Sequence, residues 1–73
     1  MKKQTFHVCE RPDGIKVTAE IASYASGSYS VSVIEQKGRE RKSVKSADGL
    51  PNEKFAREML EVFIDSYLQA NDL

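Results

Sequence analysis

The chain has no tryptophan, one cysteine, one histidine, two prolines and four glycines among its 73 residues. Its 11 lysines and arginines are cancelled by 11 aspartates and glutamates, so no net charge of either sign is left. Each shortage excludes something. The lone Cys9 excludes an internal disulfide, and small secreted domains usually carry several, so a reducing, cytoplasmic compartment is expected. No apolar run approaches the roughly 18 residues of a membrane span, which predicts no membrane association. After the basic Met1-Lys2-Lys3, the residues Gln4, Thr5, His7, Glu10 and Arg11 interrupt any signal-peptide core. With 40% hydrophobic and 30% charged residues the composition is that of a globular domain, not of a disordered or fibrous chain. A chain this short forms one domain and buries only about 60% of the surface its unfolded state exposes, which argues against a deep catalytic cavity.

The chemistry-bearing motifs are missing as well. There is no phosphate-binding glycine loop, nucleophile elbow or Cys/His metal spacing. Asp13-Gly14 is followed by Lys16 and Thr18 in place of the oxygen ligands a calcium loop needs, so it reads as a turn. His7 and Cys9 stand two apart, which on a regular strand puts them on one face by alternation alone. No third group is evident to orient them as base and nucleophile. The expectation is a non-enzymatic domain with no cofactor and no metal.

What is present is patterning. Phe6 and Val8 alternate with Thr5, His7 and Cys9, predicting a first strand over about 4–10. Arg11-Pro12-Asp13-Gly14 is turn chemistry, and a second strand over about 14–22 places Ile15, Val17, Ala19 and Ile21 on one face and Lys16, Thr18, Glu20 and Ala22 on the other. A Ser/Gly-rich connection over 23–28 precedes a third strand at about 28–36, with Tyr29, Val31 and Val33 inward and Ser30, Ser32 and Ile34 outward. Lys37-Gly38 predicts another turn. Beyond it, 39–45 offers only Val44 as an apolar anchor, so a short or frayed edge strand is expected, guarded by its charges. From Pro51 the period becomes helical. Phe55, Ala56, Met59, Leu60, Phe63, Ile64, Tyr67 and Leu68 form one stripe, predicting a helix over about 51–70. Pro51 suits its first turn, Asn71 its left-handed end, and Glu53–Arg57 and Lys54–Glu58 are candidate pairs one turn apart.

These elements predict a single α+β domain over 1–73, a two-layer sandwich of an antiparallel three- to four-stranded sheet on one C-terminal helix. The expected core sets Phe55, Met59, Leu60, Phe63 and Tyr67 against Val8, Val17, Ile21, Val31 and Val33, with the other sheet face left open.

The balanced charge is unevenly placed. Residues 37–46 carry Lys37, Arg39, Arg41, Lys42 and Lys45 against Glu40 alone, a local +4. Residues 47–73 carry Lys54 and Arg57 against Asp48, Glu53, Glu58, Glu61, Asp65 and Asp72, a local −4. The basic segment reads in three ways: as solubilising charge on an edge strand, as a phosphate-contacting surface, or as one half of a complementary protein contact. In the second reading Arg39 and Arg41 share a strand face, flanked by Lys37 and Lys42, with Lys45, Lys16 and Tyr24 nearby. The absence of a basic excess weighs against that reading, and the acidic helix would repel a duplex unless it faced away. In the third, Glu58, Glu61 and Asp65 form an acidic face for a protein partner or for a second copy in a homodimer.

Gly27-Ser28-Tyr29-Ser30-Val31-Ser32-Val33, followed by Lys37-Gly38-Arg39-Glu40-Arg41-Lys42 and a helix containing Ala56, resembles the N-terminal arm-binding domain of phage-type integrases over roughly 15–68. The resemblance implies a three-stranded antiparallel sheet and a C-terminal helix, with the sheet inserted in a DNA groove. Lys16, Thr18, Ser30 and Ser32, with Arg39 and Arg41 at the edge, would then touch DNA; Glu20 on that face departs from the pattern. Taken together, the residues predict a small intracellular module that binds a protein in a regulatory or accessory role, with DNA or RNA binding as the alternative.

Overall fold

Three hairpins organise the sheet, and two of them turn by the same device. In the computed structural model, which describes residues 1–73, β1 (Lys2–Glu10) and β2 (Lys16–Ser23) are joined through Arg11-Pro12-Asp13-Gly14. The Gly14 amide donates to the Arg11 carbonyl at 3.0 Å, and Gly14 then takes the left-handed conformation at φ 87°. β2 and β3 (Tyr29–Lys37) are joined in the same way, with the Gly27 amide donating to Tyr24 and Gly27 also at φ 87°. A turn followed by a left-handed glycine matches the right-handed twist of the strands it connects. β3 and β4 (Glu40–Leu50) close on the two residues Gly38-Arg39. The chain ends in α1 (Glu53–Ala70).

The result is one antiparallel sheet in the order β1-β2-β3-β4 with α1 across one face, an α+β two-layer fold. The fourth strand is longer than its sequence suggests: it runs for 11 residues, not the frayed 39–45. Its anchors lie beyond that window, with Ala47 opposite Val31 and the buried Leu50 opposite Tyr29. Pairing irregularities on both sides of this stretch let Val44 and Ala47 pack against the core although strict alternation would separate them.

Val17, Ala19 and Ile21 of β2, Val31 and Val33 of β3, Leu50, and Ala56, Leu60 and Tyr67 of α1 make the core, with Val8, Met59 and Phe63 packed at its margin. Phe55 does not join them. It is 43% exposed, because it sits in the first helical turn at the edge of the sheet. Ile34 and Ala22, expected in solvent, are buried on the open face.

The helix ends are also shifted. Asn52 is the N-cap, its side-chain oxygen accepting from the Phe55 amide at 2.8 Å, so Pro51 lies just outside the helix. At the other end Asn71 is not left-handed. Asp72 is, at φ 59°, and its amide donates to Gln69 while that of Leu73 donates to Leu68. This is a Schellman closure with aspartate where glycine is usual. Of the two pairs expected along the helix, Glu53–Arg57 forms at 3.2 Å and Lys54–Glu58 does not.

α1 packs chiefly on β3, with less contact to β2 and β4. β1 therefore lies to one side of it, paired along one edge only and exposed from Lys2 to His7.

Candidate functional site

Three surfaces result from this arrangement. The first is the open sheet face. Cross-strand partners share a face, so it carries Lys3, Thr5 and His7 from β1, Thr18 and Glu20 from β2, Ser30, Ser32 and Ile34 from β3, and Arg41, Ser43 and Ser46 from β4. Glu20 organises it. Its Oε1 accepts from Nη2 of Arg41 at 2.8 Å, and its Oε2 lies 3.8 Å from Nζ of Lys3, so one carboxylate ties β1 and β4 to β2. To reach Glu20, Arg41 crosses β3. The residue of this face between Gln36, which pairs with Arg41, and Ser32, which pairs with Glu20, is Ile34. The arginine stem explains why an outward isoleucine is only 7% exposed. Tyr24 adds a hydrogen bond to Ser30 at 3.1 Å, beside Ala22.

The basic segment does not form one patch. Arg39 occupies the β3–β4 turn and shares no strand face with Arg41. Lys42 and Lys45 pair opposite Glu35 and Val33 and so belong to the helix side of the sheet. Lys16 lies on the open face in the same cross-strand row as Arg41, with Gln36 between them. Lys37, Arg39, Lys42, Lys45 and Lys16 make no ion pair, whereas Arg41 is held by Glu20. Glu58, Glu61 and Asp65 are exposed on the helix layer, away from the open face.

The second surface is the seam between β1 and α1. Because the helix is displaced toward β3, a groove of about 520 Å³ remains there, floored by Phe6, Ile21, Leu60 and Ile64. Glu53, Lys54, Arg57, Glu58 and Glu61 form its charged rim. Gln4 reaches over to Arg57 at 3.3 Å, the one polar bridge between strand and helix along this seam. Phe6 stays 38% exposed on the floor. The acidic stripe therefore divides: Glu58 and Glu61 border the groove, and Asp65 lies beyond it.

The third is a partly buried polar cluster at the other end of the helix. The Tyr67 hydroxyl donates to Oε2 of Glu35 at 2.6 Å and accepts from Nη1 of Arg11 at 3.2 Å; the same Nη1 donates to Glu35 at 2.9 Å, and Nη2 to Asp13 at 2.8 Å. Burial, then the bond to Glu35, pushes the Tyr67 phenol above its ordinary value. The bond to Tyr67, with the neighbouring Asp13 and Glu35 carboxylates, raises the Arg11 guanidinium further, against its own desolvation. None of its fully buried polar atoms lacks a partner, and the cluster clamps the β1–β2 turn to β3 and α1.

His7 and Cys9, expected on one face, are on opposite ones. A bulge at Val8 pairs His7 with Thr18 on the open face and Cys9 with Val17 on the helix side. No group of three or more His, Cys, Asp or Glu side chains is gathered closely enough to hold a metal ion. No helix is long and apolar enough to cross a membrane. Comparison with protein-family models, with curated proteins and with solved structures finds no match to this chain.

The groove and the clamp are both absent from the sequence reading. Phe6 was legible as an inward strand residue, but an inward residue becomes a groove floor only if the helix fails to cover it. Arg11 and Glu35, 24 residues apart, carry no local signal of their pairing.

Proposed function

We propose that this domain works by binding, without catalysis, and that its partner is a protein taken up along the seam between β1 and α1. One observation carries the reading: an apolar floor containing a partly exposed phenylalanine, inside a rim of mixed charge, beside a strand whose outer edge is unpaired. Apolar area supplies affinity, the rim supplies orientation, and the free strand edge offers backbone donors and acceptors. Affinity purification with the wild-type chain and with Phe6→Glu tests it, with melting curves to verify that both fold. Partners held by the wild type and lost with Phe6→Glu support the reading. Partners kept by Phe6→Glu but lost on nuclease treatment overturn it.

A second reading, nucleic-acid binding through the open face and the β3–β4 turn, has one specific observation in its favour. Glu58, Glu61 and Asp65 belong to the opposite layer, so the repulsion expected from the acidic helix is directed away from that face. Lys37 and Arg39, at the β3–β4 turn, are exposed and unpaired, and are the groups that would meet phosphates. Titration of a DNA duplex across salt tests it. Steeply salt-dependent binding that disappears in Lys37→Glu with Arg39→Glu is the expected result, and salt-independent or absent binding counts against it.

A further inference from the structure

We propose that the partner at this seam is a second copy of the chain, joined by antiparallel pairing of β1 with β1 about a two-fold axis at Phe6; the proposal rests on the protein-binding reading above. The two edges of the sheet differ in what they permit. β4 carries Arg41, Lys42 and Lys45, with Arg39 at its turn, against Glu40 and Asp48 only, so two β4 strands would bring together two edges of net positive charge. β1 begins with Lys2 and Lys3 and ends with Glu10, so an antiparallel copy brings its basic end to the other's acidic end. Such a strand is complementary to itself, as a two-fold interface requires.

The bulge refines the register. With Phe6 on the axis, Thr5 meets His7 of the second copy. Val8 is the extra residue of the bulge, so the next paired positions are Cys9 and Glu10. Gln4 then meets Cys9, both on the helix side, and Lys3 meets Glu10, both on the open face. Every pair keeps to one face, which pairing without the bulge would not achieve. The two Phe6 rings come together on the helix side, and the two grooves merge into one trough walled by both helices. β1, which is exposed over most of its length and gives little to the monomer core, becomes an interior strand of an eight-stranded sheet.

Sedimentation of the full chain up to millimolar concentration, with two charge variants, tests this. The wild type is expected at twice the 8.2 kDa chain mass. Glu10→Lys alone sets Lys against Lys at both ends of the pair, and Lys2→Glu with Lys3→Glu sets Glu against Glu; each is expected to weaken the dimer roughly tenfold. An equimolar mixture of the two variants restores opposite charges at both ends and is expected to recover the dimer. A monomeric wild type, or a dimer indifferent to these changes, overturns the proposal. A monomer that nonetheless binds a cellular protein through Phe6 overturns the second copy as partner and leaves the protein-binding reading standing. Circular dichroism of each variant alone verifies that loss of the dimer is not loss of the fold.

Discussion

The hydroxyl of Tyr67 donates a 2.6 Å hydrogen bond to Oε2 of Glu35, fastening the last turns of α1 to the far end of β3. The same carboxylate oxygen accepts from Arg11, so helix, sheet and the β1–β2 turn meet at one atom. Hydrogen bonds to charged groups contribute about 1.5–3 kcal/mol, and the ring of Tyr67 is buried in the core. Tyr67→Phe keeps the ring and removes the hydroxyl. It is expected to cost about 1–3 kcal/mol in urea unfolding, with the midpoint lowered and the slope unchanged.

The clamp also makes stability depend on alkaline pH. Burial and the bond to Glu35 raise the Tyr67 phenol in the folded state, so folding favours its protonated form. That contribution is complete below the phenol's ordinary value near 10 and is lost as pH rises through the higher folded value. The stability difference between wild type and Tyr67→Phe is therefore expected to shrink as pH rises above about 10. Thermal melts of both proteins across that range measure it, with Tyr24 and Tyr29 common to both.

Two hydrophobes of the helix stripe separate sharply by burial. Leu60 is 5% exposed in the core and Phe55, in the first helical turn, is 43% exposed. Leu60→Ala is expected to cost about 2–5 kcal/mol, a large share of what a domain of this size has to lose. Phe55→Ala is expected to cost less than about 1 kcal/mol. Equal losses in chemical denaturation would contradict the lateral placement of α1.

Asp72 holds a left-handed conformation usually given to glycine, at the negative end of the helix dipole. Both features disfavour aspartate, and Asp72→Gly relieves both. A gain of roughly 0.5–1.5 kcal/mol is expected, seen as a higher melting temperature at unchanged helix content.

Much of the fold was legible because its signals are local. Alternation in Val17-Ala19-Ile21 and Tyr29-Val31-Val33 identifies strands and their inner faces, and the switch at Pro51 to spacings of three and four identifies the helix. β4 was read short because Ala47 is out of phase with both Val44 and Leu50, and only pairing with Val31 and Tyr29 brings Ala47 and Leu50 together into the strand. The basic segment looked continuous for the converse reason. Its members are neighbours in sequence, but a turn and the pleat send Arg39, Arg41 and Lys42 to three different places.

The amino-acid sequence by itself determined an antiparallel sheet, one amphipathic helix, the hairpin turns and the opposite charges of residues 37–46 and 47–73, because each is set by residues within a few positions of one another. Tertiary structure alone decided which charges meet and which surface is left uncovered. The Lys3–Glu20–Arg41 ladder depends on strand register, and the Arg11–Glu35–Tyr67 clamp brings together residues up to 56 positions apart. The groove at Phe6 depends on where the helix settles across the sheet. That position follows from how Ala56, Leu60 and Tyr67 pack on β2 and β3, a balance of volumes to which the whole core contributes and no short segment encodes.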